Sequence, residues 1–412
     1  MKRMLRAGSR LSTSMLGLVC GIGVIGGGQT LLYTVLGPAT REIGIGEFQT
    51  GMIVTMSALV LTCSSPFWGR LIDKWGSRKA YIVGMASYAV GSFIFAGVLA
   101  LALARIITPV LSLMCLIAVR CVYAFMTAGI YPAAMKHVAD VTNERDRGGG
   151  MAVILAAANV GSILGPILGS VLGSVALLLP IFVTSALALI ATATAAVSLH
   201  DARNPVRVAS CEAEPVRPAG LRFADRRISS VLIATALAYI AFSALQQSLP
   251  FYLQDILRLD ARGTARSVGI AMGVLATAMV ATQLGIVKFL KPGAQTMLTM
   301  GAASLIGGLL CVGAASTLPA ICGAQILVGI GFGLFLPGAK TAASLAVAAN
   351  EQGAVAGLIA AASAAGVVVG PLIGTGLVNM GASTPYFVGA VVMLLALLLT
   401  HRVVERRVAK TS

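Results

Sequence analysis

The sequence predicts an all-α polytopic membrane protein with twelve transmembrane helices in two pseudo-symmetric six-helix lobes. Composition is the first reason, since 58% of the 412 residues are hydrophobic and only 11% are charged, which gives a mean hydropathy of +0.92. The second reason is that the apolar segments are long and rich in small residues, with 47 glycines in the chain. This pattern indicates membrane helices, because a membrane β-barrel would show short segments of alternating polarity instead. The third is an internal repeat, in which a glycine and proline pattern recurs 205 positions later.

Twelve segments are long and apolar enough to cross a bilayer, which takes roughly 20 apolar residues each. Their expected positions are about 15–39, 50–72, 80–102, 107–130, 148–174, 176–199, 228–253, 267–290, 296–315, 318–341, 351–377 and 384–401. We number them as spans 1 to 12. They predict an N-terminal lobe at 1–199 and a C-terminal lobe at 228–412, joined by the polar segment 200–227 as a flexible cytoplasmic linker.

The internal repeat relates span 5 to span 11. A duplicated helical unit is the simplest explanation of a pattern that holds its register without a gap. The two sets of residues are Gly161, Gly165, Pro166 and Gly169 in the first copy, and Gly366, Gly370, Pro371 and Gly374 in the second.

Glycine at every fourth position forms a stripe without side chains, along which another helix can pack backbone to backbone. The proline removes one helical hydrogen bond, so a bend is expected beside the closest contact. An ordinary packing motif would explain one copy. Two copies in matching register, each beside a proline, favour a two-lobed transporter.

The net charge of +16 does not indicate nucleic-acid binding, because the cations follow the positive-inside rule. Most Lys and Arg residues lie before span 1, in the loops that follow spans 2, 4, 8 and 10, in the linker and in the C-terminal tail. Both termini are therefore expected in the cytoplasm. The arginines expected outside are Arg41, Arg105, Arg258, Arg262 and Arg266.

No cofactor is expected. The seven cysteines show neither metal nor redox spacing, so reduced thiols are predicted. The Gly21 to Gly26 segment matches a GxGxxG pattern, but no strand precedes it and the segment continues as an apolar helix. The stretch from Gly333 to Thr341 only approximates a Walker A loop, because Ala339 separates Gly338 from Lys340. ATP is not expected to drive this protein directly.

The loop between spans 2 and 3 carries the most specific motif. Gly69, Asp73, Gly76 and Arg78 have the spacing G-x-L-x-D-x-x-G-x-R. A basic loop at the cytoplasmic surface is the alternative interpretation. The spacing resembles the loop 2–3 motif of the major facilitator superfamily, and the resemblance extends from span 1 to span 12.

The resemblance implies a conformational latch. In that family the residue matching Asp73 meets the N-terminal end of helix 11, whose dipole favours a carboxylate. The residue matching Arg78 links it to an acid at the end of helix 4, for which Asp140 is the match. The latch would form in the outward-open state and break in the inward-open one. Ser77 stands where the family usually has a basic residue.

Span 4 contains Arg120, and a guanidinium in the hydrocarbon is costly without a partner or a water-lined cavity. Its position resembles the helix 4 motif R-x-x-x-G of the family, in which the arginine is linked to proton transfer, although Ala124 replaces the glycine. Arg120 is therefore a candidate for proton coupling or, with an anionic substrate, for anion binding. An arginine paired with helix carbonyls is the structural alternative.

The pattern in span 5, G-x-x-x-G-P-x-x-G, resembles the helix 5 motif of the drug:proton antiporter branch, with Ser170 in place of the last glycine. This resemblance implies efflux. Polar and aromatic residues within the spans are candidates for a substrate cavity. They are Gln29, Tyr33, Tyr123, Asn159, Tyr239, Phe242, Gln246 and Gln325, the last occupying the position of Arg120 in the repeat. On span 7, Tyr239, Phe242 and Gln246 share one helix face, which would suit helix packing equally well.

No acidic residue lies in the middle of a span, so proton coupling is implied by the resemblance alone. The nearest candidates are Asp255 and Glu42 near outer helix ends and Asp73 on the inner side. A carboxylate or histidine within the membrane is the usual proton carrier.

These observations predict a secondary exporter in the bacterial inner membrane that works by alternating access, with a central cavity between the lobes. It would exchange protons for drugs, as in drug resistance, or for a secreted metabolite such as a siderophore. Its partners would be the substrate, protons and the lipid bilayer, and a monomer is expected. One alternative is an importer of an organic anion or sugar, and another is a scaffold or receptor that transports nothing. An enzyme is not expected, because no nucleophile, base and acid converge.

Overall fold

The computed structural model describes residues 2–199, 221–290 and 292–411, which are helical and contain no strand within those ranges. The first seven helices are α1 (Lys2–Ile43), α2 (Glu47–Trp75), α3 (Ser77–Leu103), α4 (Pro109–Thr127), α5 (Ile130–Val141), α6 (Glu144–Val175) and α7 (Leu179–Ser198). The next six are α8 (Ser229–Leu257), α9 (Ala261–Thr282), α10 (Ala294–Ala314), α11 (Leu318–Ser344), α12 (Gln352–Val378) and α13 (Thr384–Thr411). A π-helix at Gln283–Leu290 follows α9, and a 3₁₀ turn at Ala349–Glu351 precedes α12.

Within the described ranges, 11 helical stretches are long and apolar enough to cross a membrane, and Thr384–Thr400 adds a shorter apolar helix. The all-α polytopic fold class predicted from the sequence is confirmed. Span 4 is longer than predicted, since Pro109–Val141 forms one such stretch. The backbone of Gly129, between α4 and α5, keeps helical angles of φ −80° and ψ −14°, so the chain continues with little interruption.

Span 8 differs from the straight helix that its hydrophobic pattern predicts. The α-helix ends at Thr282 and the chain continues as a π-helix to Leu290, shortly before Pro292. Proline cannot donate the hydrogen bond that an ongoing helix requires. The wider turn falls where Gln283 begins the π-helix, and such turns often mark functional positions.

The chain divides into two compact units. Unit 1 comprises Met1–Ile45 and Met56–Cys211, and unit 2 comprises Gly46–Thr55 and Glu212–Ser412. The greater part of the predicted linker, 200–220, lies outside the described residues. In unit 1, α1 packs against α6 and α7, and α3 packs against α4 and α7. In unit 2, α8 packs against α12 and α13, and α11 packs against α9 and α10.

Unit 2 includes the first residues of α2, which the sequence pattern assigns to the N-terminal half. Thr55 donates a hydrogen bond from its hydroxyl to the carbonyl oxygen of Val368 on α12, 3.0 Å away. A Cβ on Gly51 would lie 3.0 Å from the carbonyl oxygen of Pro371. Close backbone approach at a glycine and a hydroxyl-to-carbonyl bond are the usual means of holding helices together in lipid.

Inside each unit, buried tyrosine hydroxyl and tryptophan indole groups donate hydrogen bonds to backbone carbonyl oxygens of neighbouring helices. The indole nitrogen of Trp68 donates to the carbonyl oxygen of Phe125 at 2.6 Å, and the hydroxyl of Tyr81 donates to Leu18 at 3.1 Å. In unit 2 the Tyr252 hydroxyl lies 2.7 Å from the carbonyl oxygen of Val312. These buried polar groups have protein partners, which a bilayer interior requires because it offers no water.

Candidate functional site

Arg120 on α4 is the buried cation at the centre of the candidate site, with only 7% of its surface exposed. Its Nε donates to the hydroxyl of Ser57 on α2 at 3.2 Å, and its Nη1 donates to the hydroxyl of Tyr123, one helical turn away. The guanidinium carbon also lies 5.2 Å from the ring centre of Tyr123 and 5.9 Å from that of Phe95. Aromatic faces attract a cation, so the ring positions stabilise the buried charge.

Further hydroxyl groups surround the guanidinium. Tyr33 on α1 and Tyr88 on α3 both interact with it electrostatically, and the Tyr88 ring meets the Tyr123 ring edge to face at 6.1 Å. In the part of the chain that the structure describes, no carboxylate forms an ion pair with Arg120. Its neighbours are neutral hydroxyls and rings, so the cluster carries a net positive charge that favours an anion.

A small cavity adjoins Arg120. Its volume is about 20 Å³, and Gly28, Tyr88, Ser92, Phe95 and Thr184 contribute to its wall. A space of this size accommodates about one water molecule, and hydroxyl groups supply the hydrogen-bond partners that such a water needs. The sequence predicted Tyr33, Arg120 and Tyr123, and the structure brings all three together within unit 1.

Unit 2 contains an aromatic cluster between α8 and α11. The ring of Phe242 stacks on that of Phe332 with centres 4.0 Å apart and planes at 12°, while Tyr239 meets Phe332 edge to face at 5.3 Å. The hydroxyl of Tyr239 also interacts with the side chain of Ser363. Gln246 is half-buried on the same helix. Flat aromatic surface of this kind suits an amphipathic organic molecule.

Gln325 on α11 is fully buried, and neither its side-chain nitrogen nor its oxygen has a hydrogen-bond partner in the protein. Gln247 on α8 is also buried, with an unpartnered side-chain oxygen. Leaving such groups unpaired costs about 1–3 kcal/mol each, so a water or ligand is expected to satisfy them. Unit 2 therefore has a neutral amide at the position where unit 1 has a cation.

The first copy of the glycine motif packs α6 against α1. A Cβ on Gly165 would collide with the carbonyl oxygen of Gly27 and the hydroxyl of Thr30, and one on Gly161 would collide with Gly23. The Thr30 hydroxyl lies 3.1 Å from the carbonyl oxygen of Ser162 and bonds to it. A Cβ on Gly169 would collide with the Thr34 hydroxyl. Pro166 lies within α6, amid these contacts.

The second copy packs α12 against α8 in the same way. A Cβ on Gly370 would lie 2.6 Å from the Cβ of Ser243, and one on Gly374 would lie 2.6 Å from the Cα of Ala244. On Gly366 it would lie 2.8 Å from the carbonyl oxygen of Ala236. Pro371 again lies within the helix. The same glycine stripe thus makes the same type of contact in both units.

The loop 2–3 motif lies between α2 and α3. Asp73 forms an ion pair with Lys136 of α5, a partner that the sequence did not suggest. Both side chains are accessible, with 71% of Asp73 and 35% of Lys136 exposed. Gly76 adopts a φ of 86°, a conformation that favours glycine, and so starts α3. A Cβ on Gly69 would meet nothing within 4 Å.

The other predicted latch residues lie at the start of α3 and on α5. The Arg78 Nη2 donates to the carbonyl oxygen of Ala196 on α7 at 2.9 Å. The Ser77 hydroxyl donates to the Asp140 carboxylate at 3.3 Å. The residue that departs from the family pattern therefore contacts Asp140, the acid that the sequence predicts for the latch.

Two predicted cavity residues lie apart from this arrangement. Gln29 is half-buried on α1 and Asn159 is exposed on α6, and neither lines the Arg120 cavity. Conversely, sequence reasoning missed Ser57, Tyr88 and Phe332. An i to i+3 spacing signals Tyr123 beside Arg120, but no local pattern signals a partner on another helix.

No group of His, Cys, Asp or Glu within the described residues could hold a metal ion. The six cysteines with described side chains are not paired with one another: Cys20, Cys63, Cys115, Cys121, Cys311 and Cys322. The seventh, Cys211, lies outside the described residues.

Comparison with known proteins identifies the family. The family model of the Major Facilitator Superfamily matches residues 18–312 and 293–412. Multidrug resistance protein 2 of Bacillus subtilis (strain 168) is 24% identical over 388 residues, with 90% of each chain covered. Quinolone resistance protein NorA of Staphylococcus aureus (strain MSSA476) is 24% identical over 374 residues, covering 89% of this chain and 90% of NorA.

Solved structures share the fold. A bacterial homolog to the human lysosomal transporter Spinster, in an inward-facing and occupied conformation, superposes with a TM-score of 0.74 at 13% identity, covering 96% of this chain and 97% of that one. The nucleoside transporter NupG gives a TM-score of 0.71 at 15% identity, covering 95% and 98%. With family model, relatives and fold in agreement, the chain belongs to the Major Facilitator Superfamily and is a multi-pass membrane transporter, not an enzyme.

Proposed function

We propose that this transporter exports small organic molecules from a bacterial cell in exchange for protons. The observation that carries the proposal is the 24% identity to a multidrug resistance protein over 90% of both chains. The duplicated glycine and proline motif supports the same direction, because it resembles the helix 5 motif of antiporters. Drugs or a secreted metabolite such as a siderophore are the proposed substrates.

Arg120 is the proposed functional residue in unit 1. Its charge is buried among Ser57, Tyr123 and Phe95, at a position where a mere packing residue would be apolar. Charged groups inside a membrane are expensive and are mostly retained for function. We assign it either to proton coupling or to binding an anionic substrate, and Tyr239, Phe242 and Gln325 to binding the apolar and amide parts of a substrate in unit 2.

Proton coupling is proposed through this cluster because no described carboxylate is buried within a span. Asp255, Glu42 and Asp73 are all exposed. The guanidinium is held by neutral hydroxyls, so proton exchange at a neighbouring hydroxyl or water would change its electrostatic environment. If the substrate itself is anionic, the membrane potential would assist its export and no proton carrier would be needed.

The proposed setting is the plasma membrane, with both termini in the cytoplasm, as the positive-inside distribution indicates. We further propose a monomer with lobes 1–199 and 228–412 joined by 200–227, moving by alternating access. Gly69, Asp73, Gly76, Arg78 and Asp140 would act as its conformational latch. The loop 2–3 position of this motif supports that role.

A deletion strain tests the function. Loss of the gene should raise sensitivity to a panel of toxic compounds or abolish secretion of one of the cell's own metabolites, and expression in trans should restore either property. Unchanged sensitivity and an unchanged secreted metabolite profile would contradict export.

Import of an organic anion is the second candidate, and the observation that favours it is the buried cation without a carboxylate partner among the described residues. Vesicle orientation distinguishes the two. An exporter accumulates its substrate in everted vesicles, whereas an importer accumulates it in right-side-out vesicles.

A further inference from the structure

Unit 1 contains a long apolar groove between α1, α6 and α7, with a volume of about 880 Å³. Along α1 it extends from Leu16 to Leu31, which is about 22 Å at the 1.5 Å helical rise. Exposed aliphatic side chains form its walls, including Leu164 on α6 and Ile190 on α7, which are 49% and 60% exposed. Its floor is formed where the glycines of α1 meet those of α6.

The groove reaches the cavity beside Arg120. Gly28, Leu31 and Thr184 line both spaces. Gly28 lets the two spaces approach each other closely, because Tyr88 and Thr184 leave no room for a side chain there: a Cβ would collide with the hydroxyl of Tyr88 and lie 2.7 Å from the methyl of Thr184. The apolar groove thus ends beside a polar cavity that contains a buried positive charge.

We propose that unit 1 binds a single-chain organic carboxylate taken from the bilayer, with its alkyl chain in the groove and its carboxylate directed through the junction to Arg120. This proposal rests on the proposed export function and names the substrate class for it. The two halves of such a molecule match the two spaces: carbon-lined walls for the chain, and a guanidinium with hydroxyl donors for the headgroup.

The size and charge of the pocket select this class over other amphipaths. A cavity of about 20 Å³ excludes the glycerol phosphate of a two-chain phospholipid, and a carboxylate is the smallest organic acid group that could approach the guanidinium there. A cationic headgroup would be repelled by Arg120, which has no carboxylate partner in the described part of the chain. A neutral alcohol would fill the groove and leave the charge without a counterion.

Cys20 provides a reporter, because it lines the groove and is exposed. The full chain would be prepared with its other six cysteines replaced by alanine, labelled at Cys20 with a fluorophore, and titrated in phosphatidylcholine nanodiscs with stearate carrying a nitroxide quencher. Unlabelled myristate, myristyl alcohol and dodecyltrimethylammonium would then compete. We expect myristate to displace the quencher at concentrations at least 10-fold below the other two. Equal competition by the three would overturn the proposal.

Two pairs of variants locate the site. Ile190→Trp places a ring in the groove and should weaken stearate binding at least 5-fold, whereas Ile94→Trp, an equivalent exposed position beside the separate groove of α3 and α4, should leave it unchanged. Equal effects of the two would overturn the proposal. Arg120→Lys should keep the preference for myristate over the alcohol, and Arg120→Gln should remove it. If Arg120→Gln does not fold, the competition between myristate, myristyl alcohol and dodecyltrimethylammonium on the Cys20-labelled protein with Arg120 intact still tests the proposal.

Phosphatidylglycerol in the nanodiscs tests the other anionic occupant. Its displacement of the quencher more strongly than myristate would assign the groove to a phospholipid and overturn the proposal. Export of a quinolone into everted vesicles is measured in parallel. Quinolone export without a carboxylate preference contradicts this inference alone, whereas carboxylate binding at Cys20 without export of any compound contradicts the proposed function alone.

Discussion

The Nε atom of Arg120 donates a hydrogen bond to the Ser57 hydroxyl across 3.2 Å, which joins α4 to α2 inside unit 1. A serine hydroxyl supplies polarity without a counter-charge, so the guanidinium is oriented but not neutralised. The Tyr123 hydroxyl acts in the same way from the next helical turn. This arrangement distinguishes Arg120 from a buried ion pair, and it is the reason that we place anion binding or proton coupling there.

Gly165→Ala should destabilise the protein by roughly 1–3 kcal/mol, because the added methyl collides with the Gly27 carbonyl and the Thr30 hydroxyl. Gly148→Ala is the matched control in the same helix, where a Cβ meets nothing within 4 Å, and should stabilise by about 0.5–1 kcal/mol through lower chain entropy. Thermal unfolding in detergent compares the two. A Gly165→Ala protein as stable as the Gly148→Ala protein would refute close packing of α1 on α6.

Asp73→Asn should reduce transport severalfold while changing stability by less than about 1 kcal/mol. The ion pair with Lys136 is mostly exposed, and exposed pairs contribute about 0–1 kcal/mol, so a large transport defect would come from the conformational role of Asp73. Substrate binding and transport rate are measured on the same preparation. Loss of binding together with transport would argue against a latch, as would a fully active Asp73→Asn protein.

Gln325→Leu should leave stability unchanged or raise it, because the buried amide of Gln325 lacks a protein partner and an apolar group of similar size removes the unpaired atoms. Transport should nevertheless fall if the amide binds a substrate or its water. Unfolding temperature and transport rate are recorded for the variant and the wild type. A variant that is less stable and transports normally would indicate that Gln325 is structural.

The N-terminal end of α8 gives a pH prediction. The Arg227 guanidinium hydrogen-bonds Asp225 and Glu351, and its bonds hold the pKa of the Asp225 carboxyl below the usual value. A lowered folded-state pKa means that the stabilisation is complete above the unfolded-state pKa of about 3.9 and is lost as the pH falls through the folded-state value.

Arg227→Gln should therefore lower the unfolding temperature slightly and by the same amount between about pH 5 and pH 8. The difference should shrink as the pH falls below about 4 and vanish below the lowered folded-state pKa of Asp225. Lys340→Gln, a charge removal elsewhere in unit 2, is the control and should show no such convergence. A difference that grows on acidification would contradict the assigned role of Asp225.

Much of the fold follows from the sequence because hydrophobic length and glycine spacing are local patterns. The apolar runs predict the spans, and the stripe at Gly161 and Gly165 predicts a helix that packs closely on another one. The pattern does not identify which helix, since that depends on how each helix is rotated in the bundle. The contact of Gly165 with Gly27 therefore required the structure.

The candidate site was predicted only in part, for a related reason. Arg120 and Tyr123 lie on one helix, so their proximity follows from an i to i+3 spacing. Ser57 and Phe332 are ordinary residues in apolar helices, and only the register between α2 and α4, or between α8 and α11, brings them to their partners. Lys136 was missed as the partner of Asp73 because α5 extends span 4 beyond its apolar part.

Proteoliposomes with an imposed pH gradient test the central claim most directly. With an acidic interior, protons leave as substrate enters, so the purified transporter should accumulate a quinolone or another exported compound, and accumulation should stop when the gradient is collapsed. Arg120→Gln should reduce the initial rate about 10–150-fold, the loss expected from about 1.5–3 kcal/mol of charge-assisted bonding, while Arg120→Lys should retain part of the wild-type rate. A substrate uptake rate that is the same with and without the pH gradient, and that is unchanged in Arg120→Gln, would contradict proton-coupled export through this site.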